Sequence, residues 1–496
     1  MSLSAAALSV PSQVAETSPA HPIRMIRLPS PASPLVTIRL LFQVGAADDL
    51  PGKEGLAHLT ATMLGEAGTL KRTWSEVLDA LYPMAAEIHV YGDKDAFVFT
   101  STVHRDNLDA FATLLAEQIL TPRFSTEDFT RLKQDALDGL TKTLRGNDDE
   151  NLGKQALATV MYARHPYGHP TLGTVAGLAA ITLDDVKDFY ARHFTQDRLM
   201  VGVAGGYPES FPDAYAARFA ALPAQGQPRP QLAPAPARKG MELLLVEKSA
   251  LGNAISMGVP IDVTRSDADF CPLALAASYL GEHRTFTGVL MISMRQKRGL
   301  NYGDYAYVEN FIQDGWTTFP LPNIPRRRQH FEIWLRPVPP KSAGFAIRQA
   351  IYETDKLIRE GIPAAGFEAT RTFLSNYVNL WAQDGSRRLG YAMDAVIYGR
   401  DIIADLLARL PTMTKDEVDR AVRKHLSTKD LAIVVVGDGV RELAAAVSSG
   451  AATPIVYDTR DTPAEVLAED KHIESYPLPV AKAQIRIVSA AGLFEK

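Results

Sequence analysis

The most constraining feature of the chain is that it repeats itself. Thr182-Leu183-Asp184-Asp185-Val186 runs on to Tyr190, His193 and Phe194, then to Leu199-Met200-Val201-Gly202-Val203-Ala204-Gly205-Gly206. Thr414-Lys415-Asp416-Glu417-Val418 runs on to Val422, His425 and Leu426, then to Leu431-Ala432-Ile433-Val434-Val435-Val436-Gly437, each position displaced by 232 residues. Both copies open with a capping pattern, Thr182 with Asp185 and Thr414 with Glu417, in which a hydroxyl and an acid satisfy the free amides of a helix start. Apolar residues then recur at helical spacing, and a β-type run ending in glycine closes each copy. A repeat of this length is a whole domain, so the expected architecture is two homologous halves.

The first half shows a β-like Leu35–Val44 and helical patterns near 53–67, 73–82, 105–120 and 126–145. Between them Glu87–Tyr91 and Ala96–Val103 read as a hairpin turned by Gly92-Asp93. The second half has β-like Ala254–Val259, Asn301–Val308 and His330–Leu335, with helical stretches at 343–360 and 364–397. Long helices among antiparallel-looking strands predict an α+β fold, each half a sandwich of a mixed or antiparallel sheet and its helices. The boundaries follow from composition: a flexible N-terminus over 1–22, a first half over 23–223, a Pro/Ala/Gln-rich flexible linker over 224–240, a second half over 241–439, and a C-terminal extension over 440–496 that wraps the second half.

Charge narrows the function classes. Lys+Arg total 52 against 57 Asp+Glu, a net charge of -5 that gives no general attraction to nucleic acid. One cysteine, Cys271, leaves no intrachain disulfide and no cysteine-based metal cluster, and its helical apolar surroundings make it a small buried hydrophobe. No apolar run approaches the roughly 18 residues of a membrane helix. The matched His193 and His425 are read as structural, placed in the last turn of a helix where the dipole is negative. His165 and His169 sit in a Pro/Gly loop without a neighbouring acid, and Arg326-Arg327-Arg328 reads as a solvated loop entering a strand, its other reading a contact for an acidic peptide or partner.

Gly52-Lys53-Glu54-Gly55-Leu56-Ala57-His58-Leu59-Thr60-Ala61-Thr62-Met63 opens a helix. Here the chain resembles the insulinase/pitrilysin family of zinc peptidases, which includes the mitochondrial processing peptidases. In that family the helix carries His-x-x-Glu-His: two histidines on one helix face hold zinc and the glutamate activates a metal-bound water. A glutamate 76 or 77 residues further on completes the set. This chain keeps only His58. Ala61 stands for the base, Thr62 for the second histidine, and the downstream position falls on Asp138 or Gly139, with flanking Phe129-Thr130-Arg131 and Asn147-Asp148-Asp149 favouring Gly139. The resemblance covers about residues 23–440, through Leu120-Thr121-Pro122-Arg123-Phe124 and His165-Pro166-Tyr167-Gly168, and makes the internal repeat the family's own duplication.

Met294-Arg295-Gln296-Lys297-Arg298-Gly299-Leu300-Asn301-Tyr302-Gly303 is similar to the family's arginine and tyrosine seven residues apart, with Leu280-Gly281-Glu282 and Tyr305-Ala306-Tyr307 around it. In active relatives this pair faces the zinc of another half across a closed chamber, where guanidinium and phenol bind the peptide carbonyl and the oxyanion that develops there. The resemblance therefore implies that Arg295 and Tyr302 are the catalytic residues, with Arg298 adding nearby charge. It implies that no cofactor is held by this chain, zinc being on a homologous partner subunit, and that peptides or unfolded segments are the substrates. A pseudo-enzyme acting as a peptide-binding or scaffold protein, capturing a strand along the edge near Glu87–Tyr91, is the alternative. A self-sufficient peptidase using His58 and Asp138 is the least favoured reading. The N-terminal stretch, like a mature terminus left after export, places the chain in the periplasm, with the cytoplasm as the other compartment.

Overall fold

A computed structural model describes residues 16–17, 23–229, 231–282, 286–313, 315, 317–457 and 461–496. The proposed flexible N-terminus thus lies outside the described residues except for Glu16 and Thr17. The strands are β1 (Glu16–Thr17), β2 (Arg24–Pro29), β3 (Leu35–Phe42), β4 (His89–Gly92), β5 (Phe97–His104), β6 (Leu199–Gly205), β7 (Glu242–Glu247), β8 (Asn253–Ile261), β9 (Asp304–Tyr307), β10 (Gln329–Val338), β11 (Ala432–Gly437) and β12 (Ile485–Ser489). They form two six-stranded sheets, ordered β1-β2-β6-β3-β5-β4 and β12-β7-β11-β8-β10-β9.

Five strands of each sheet, β2-β6-β3-β5-β4 and β7-β11-β8-β10-β9, are one topology used twice. In these five-stranded cores β2 runs parallel to β6 and β7 to β11, and the other pairs run antiparallel; the sixth strands differ, β1 adding antiparallel to β2 and β12 adding parallel to β7. Both repeated capping boxes are present, Thr182 with Asp185 before the Leu183–His193 helix and Thr414 with Glu417 before the Lys415–His425 helix. The repeated closing glycines have a shared cause. Gly205 and Gly437 have φ of 114° and 152°, and a Cβ at either would come within 2.0 Å of Leu35 O or Asn253 Oδ1. Only glycine fits where the strand turns away so close to its neighbour.

Each half also sends a helix across the other's sheet. The Asp149–Met161 helix of the first half lies on β8 and β11. Gly153 approaches Ser256 and Val436 there, while Met161 and Leu157 fill the space above Gly258. In return the Gly385–Tyr398 helix of the second half lies on β2 and β6, with Met393 and Leu389 over Gly202. One apolar core accordingly contains first-half residues together with Leu244, Val246, Val434 and Val436, and a second joins Ile26, Leu41 and Met200 to Leu389 and Met393.

Several expectations need correction. The described residues of the linker carry no helix or strand, yet they are pinned: Arg229 pairs with Asp95 and Asp48, and Ala233 O accepts from Arg328. The C-terminal extension wraps both halves rather than the second alone. β12 adds to β7, and beyond it Phe494 O and Glu495 O accept from Val175 and Ala176 of the first half while Glu495 pairs with Arg145. The helical stretch 364–397 is two helices, Ala364–Trp381 and Gly385–Tyr398, because Asp384 starts the second as its N-cap, accepting from Arg387 N. The stretch 126–145 is α-helical to Asp138 and π-helical over Gly139–Leu144. No helix among the described residues is long and apolar enough to cross a membrane.

Candidate functional site

The first group of candidate residues lies on the Leu56–Gly65 helix. Its start has no side-chain cap of its own, since Gly55 precedes it in a left-handed conformation with φ 106°. Asp49 serves instead, accepting from Gly55 N at 2.7 Å and Ala57 N at 2.6 Å. Burial pushes the Asp49 carboxyl up to about 7 against the pull of these two amides. His58 faces Phe97, ring centroids 6.3 Å apart, and burial pushes it down to about 4, so it is a neutral imidazole at pH 7. Ala61 is fully buried in the core of the first half. The Thr62 hydroxyl donates back to the backbone, to Leu59 O at 3.0 Å and His58 O at 3.2 Å. Gly139 offers no side-chain donor, and Asp138 is turned to Gln134 and Lys142 on its own helix.

This donor set does not fit zinc. A neutral histidine remains, but the second ligand is a hydroxyl already engaged by backbone carbonyls, the base is a methyl group and the third ligand position is a glycine. No cluster of three His, Cys, Asp or Glu suited to a metal occurs among the described residues. The loop histidines have local tasks: His165 Nε2 meets Ala233 O at 3.1 Å, and His169 lies 3.9 Å from Asp49. His193 and His425 are indeed held structurally, but by different means than the helix dipole alone. His425 pairs with Asp269 at 2.8 Å, whereas burial and Arg198 keep His193 neutral, pushed down to about 4, as it stacks on Phe189.

The second group of candidate residues lies where the π-helical Met291–Gln296 segment leads into β9. The Arg295 guanidinium carbon lies 4.5 Å from the Tyr302 ring centroid and 5.5 Å from that of Phe286. Tyr302 is 74% exposed, and its hydroxyl has no hydrogen bond among the described residues. Asp304 lies buried behind them, its Oδ1 accepting from Asn301 at 2.6 Å and its Oδ2 without a partner among the described residues. Burial pushes Asp304 up to about 8 despite the nearby Arg295 charge, so at pH 7 it does not neutralise that arginine. Arg298 contributes no free charge: its fully buried side chain pairs with Asp470 at 2.7 Å and Glu469 at 2.8 Å of the C-terminal extension.

Arg326 and Arg327 do not form a solvated loop. Arg326 pairs with Asp93 and Arg327 with Asp95, all at the β4–β5 hairpin of the first half, and Tyr167 Oη donates to Asp95. Lys94 sits buried between these acids, donates to His169 O, and is pushed down to about 8 by burial. Sequence reasoning read Gly92-Asp93 as a turn and nothing more. The alternating charges Asp93-Lys94-Asp95 and the arginine run were the available signal, but nothing local pairs segments more than 230 positions apart. Cys271 is buried, as expected, and burial raises its thiol.

Comparison with known proteins agrees with this layout. The family model for insulinase (peptidase family M16) matches residues 24–175, and that for the peptidase M16 inactive domain matches residues 180–374. The chain belongs to the insulinase-type M16 peptidase family. An uncharacterized zinc protease of Mycobacterium tuberculosis is 22% identical over 419 residues, spanning 82% of this chain and 89% of that protein. The crystal structure of a peptidase M16 inactive domain from Pseudomonas fluorescens superposes with a TM-score of 0.75 at 20% identity, covering 86% of this chain and 97% of that one. A chain of complex III2 from Candida albicans superposes with a TM-score of 0.66 at 14% identity, covering 85% and 95%. At these identities the structural likeness establishes the shared fold.

Proposed function

We propose that the chain is the non-zinc subunit of a heteromeric M16 metallopeptidase. Its second half supplies Arg295 and Tyr302 to a chamber whose zinc and general base come from a homologous partner carrying His-x-x-Glu-His. The observation that carries this reading is the Arg295–Tyr302 stack: an exposed phenol with an uncommitted hydroxyl and a guanidinium held against its ring. The stack holds the guanidinium against the Tyr302 ring, so its N–H groups and the exposed Tyr302 O–H lie side by side. Donors pre-aimed at an oxygen that gains negative charge favour the transition state over the bound peptide, each contributing about 2.7–4 kcal/mol in comparable sites. The protonated Asp304 leaves the Arg295 charge available for that oxygen. A closed chamber admits flexible peptides and unfolded segments, which form the substrate class, and the periplasm is the proposed compartment.

The test is reconstitution. The purified chain, mixed with a His-x-x-Glu-His homologue from the same source, is expected to co-elute with it and raise its peptide turnover. Tyr302→Phe should lower kcat by about 100-fold or more with assembly unchanged. A chain that neither associates with nor stimulates such a homologue sinks the proposal. The second reading, a scaffold or peptide-binding member of the family, draws on the fit of this fold to a chain of complex III2 from Candida albicans. It predicts assembly without any effect of Tyr302→Phe on turnover.

A further inference from the structure

A cavity of about 720 Å³ opens between the halves, far in sequence from the Arg295–Tyr302 stack. One wall is the face of the first sheet, the other the helices Ala364–Trp381, Gly385–Tyr398 and Ile402–Arg409. Folded chains otherwise close-pack their interiors, and small-molecule sites favour such inter-domain clefts at volumes of about 300–1,000 Å³. Leu28 and Leu35 from the sheet face Ile403 and Leu407 from the helices, which gives the cleft an apolar body.

Its charges do not cancel. Arg39 is only 5% exposed, and it donates to Tyr91 Oη, Asn323 Oδ1 and, at 3.0 Å, Ser386 Oγ. It has no ion pair among the described residues, and its Nε is buried without a partner there. Ser386 lines the cavity, and so does Arg388, whose guanidinium makes no hydrogen bond or ion pair among the described residues. Arg27 at the rim is matched by Asp213. Asp384 is the single carboxylate among the described residues that line the cavity, Arg39 lying behind Ser386, and one of its oxygens is already committed to capping Arg387 N. Two cations against one anion leave one positive charge. A buried guanidinium without a counter-ion is unfavourable unless an anion is supplied.

We propose that this cavity binds a small amphipathic monoanion, a carboxylate on an apolar body. The carboxylate contacts Ser386 and Arg388, with the Arg39 charge behind Ser386, and the body lies along Leu28, Leu35, Ile403 and Leu407. The same chemistry comes from a free medium-chain acid or from the C-terminus of a short apolar peptide. Calorimetric titration of the full chain with decanoate, tri-leucine acetylated at its N-terminus so that it is a monoanion, and the C-terminal amide of that peptide separates these sources. Saturable binding of decanoate alone marks a free-acid site, and binding of the acetylated peptide but not its amide marks a peptide-terminus site. In either case Arg388→Gln and Leu35→Glu should each weaken binding about tenfold or more. Leu35 is 49% exposed, so Leu35→Glu leaves the fold intact and carries the test if Arg388→Gln lowers the melting temperature. No saturable binding of either acid, equal binding of the amide, or wild-type affinity in Leu35→Glu overturns the proposal.

Discussion

At position 61 a methyl group lies fully buried in the first-half core, on the helix turn where active relatives carry their base. Rebuilding the motif with Ala61→Glu and Thr62→His therefore introduces a carboxylate into a packed apolar site, where a polar group without partners costs about 1–3 kcal/mol or more. The double variant is expected to melt at lower temperature and still to purify without stoichiometric zinc, since Gly139 supplies no third ligand; differential scanning calorimetry and metal analysis check both. His58 gives a pH signature. Its folded value of about 4 lies below the ordinary 6.5, so the unfolded chain binds more protons between these values. Its contribution to stability is complete above pH 6.5 and is lost as the pH falls toward 4. His58→Phe, beside Phe97, should flatten the dependence of melting temperature on pH in that window. Asp304 acts with the opposite sign. Its folded value of about 8 lies above the ordinary carboxylate range, so the folded chain holds a proton that the unfolded chain releases. That contribution is present at acid pH and disappears as the pH rises toward 8. Asp304→Asn keeps an acceptor for Asn301 and should be more stable than wild type above pH 8.

Among the elements, the Ala464–Ile473 helix has a task that its composition hid. It brings Glu469 and Asp470 against Arg298, whose buried side chain also donates to the Ser293 carbonyl. Breaking a buried pair from one side leaves an uncompensated charge, at about 3–5 kcal/mol. Asp470→Ala should approach the lower end of that range, because Glu469 remains, and chemical denaturation measures it. Arg298→Met combined with Asp470→Leu should recover much of the loss, since paired removal leaves no orphaned charge. The elements with strong local signals are legible: the two capping boxes, the 343–360 helix and the β4–β5 hairpin lie where the pattern places them to within a few residues. The break between Trp381 and Gly385 was not, because Ala382-Gln383-Asp384 interrupts an otherwise continuous helical period without a proline.

For the molecule as a whole, the halves are bound by exchanged helices and by a buried charge clasp, Asp93 with Arg326 and Asp95 with Arg327. Two domains so interlocked should unfold in one transition, with fluorescence and circular dichroism coincident. Asp93→Ala or Arg326→Ala alone should cost about 3–5 kcal/mol, and the double variant clearly less than the sum, which a double-mutant cycle reads directly. The sequence by itself determined the duplication, the α+β class, the absence of a His-x-x-Glu-His run over residues 58–62, and the seven-residue spacing of Arg295 and Tyr302. These are short-range properties: caps, helical period, alternation and motif spacing act within a few residues. Only the tertiary structure decided that the linker is pinned, that the tail reaches both halves, that Arg298 is neutralised, and that Arg326 and Arg327 are clasped to the first half. Each depends on which surfaces close-pack across more than a hundred positions, and that choice is made by the burial of whole sheets and helices rather than by any local run of residues.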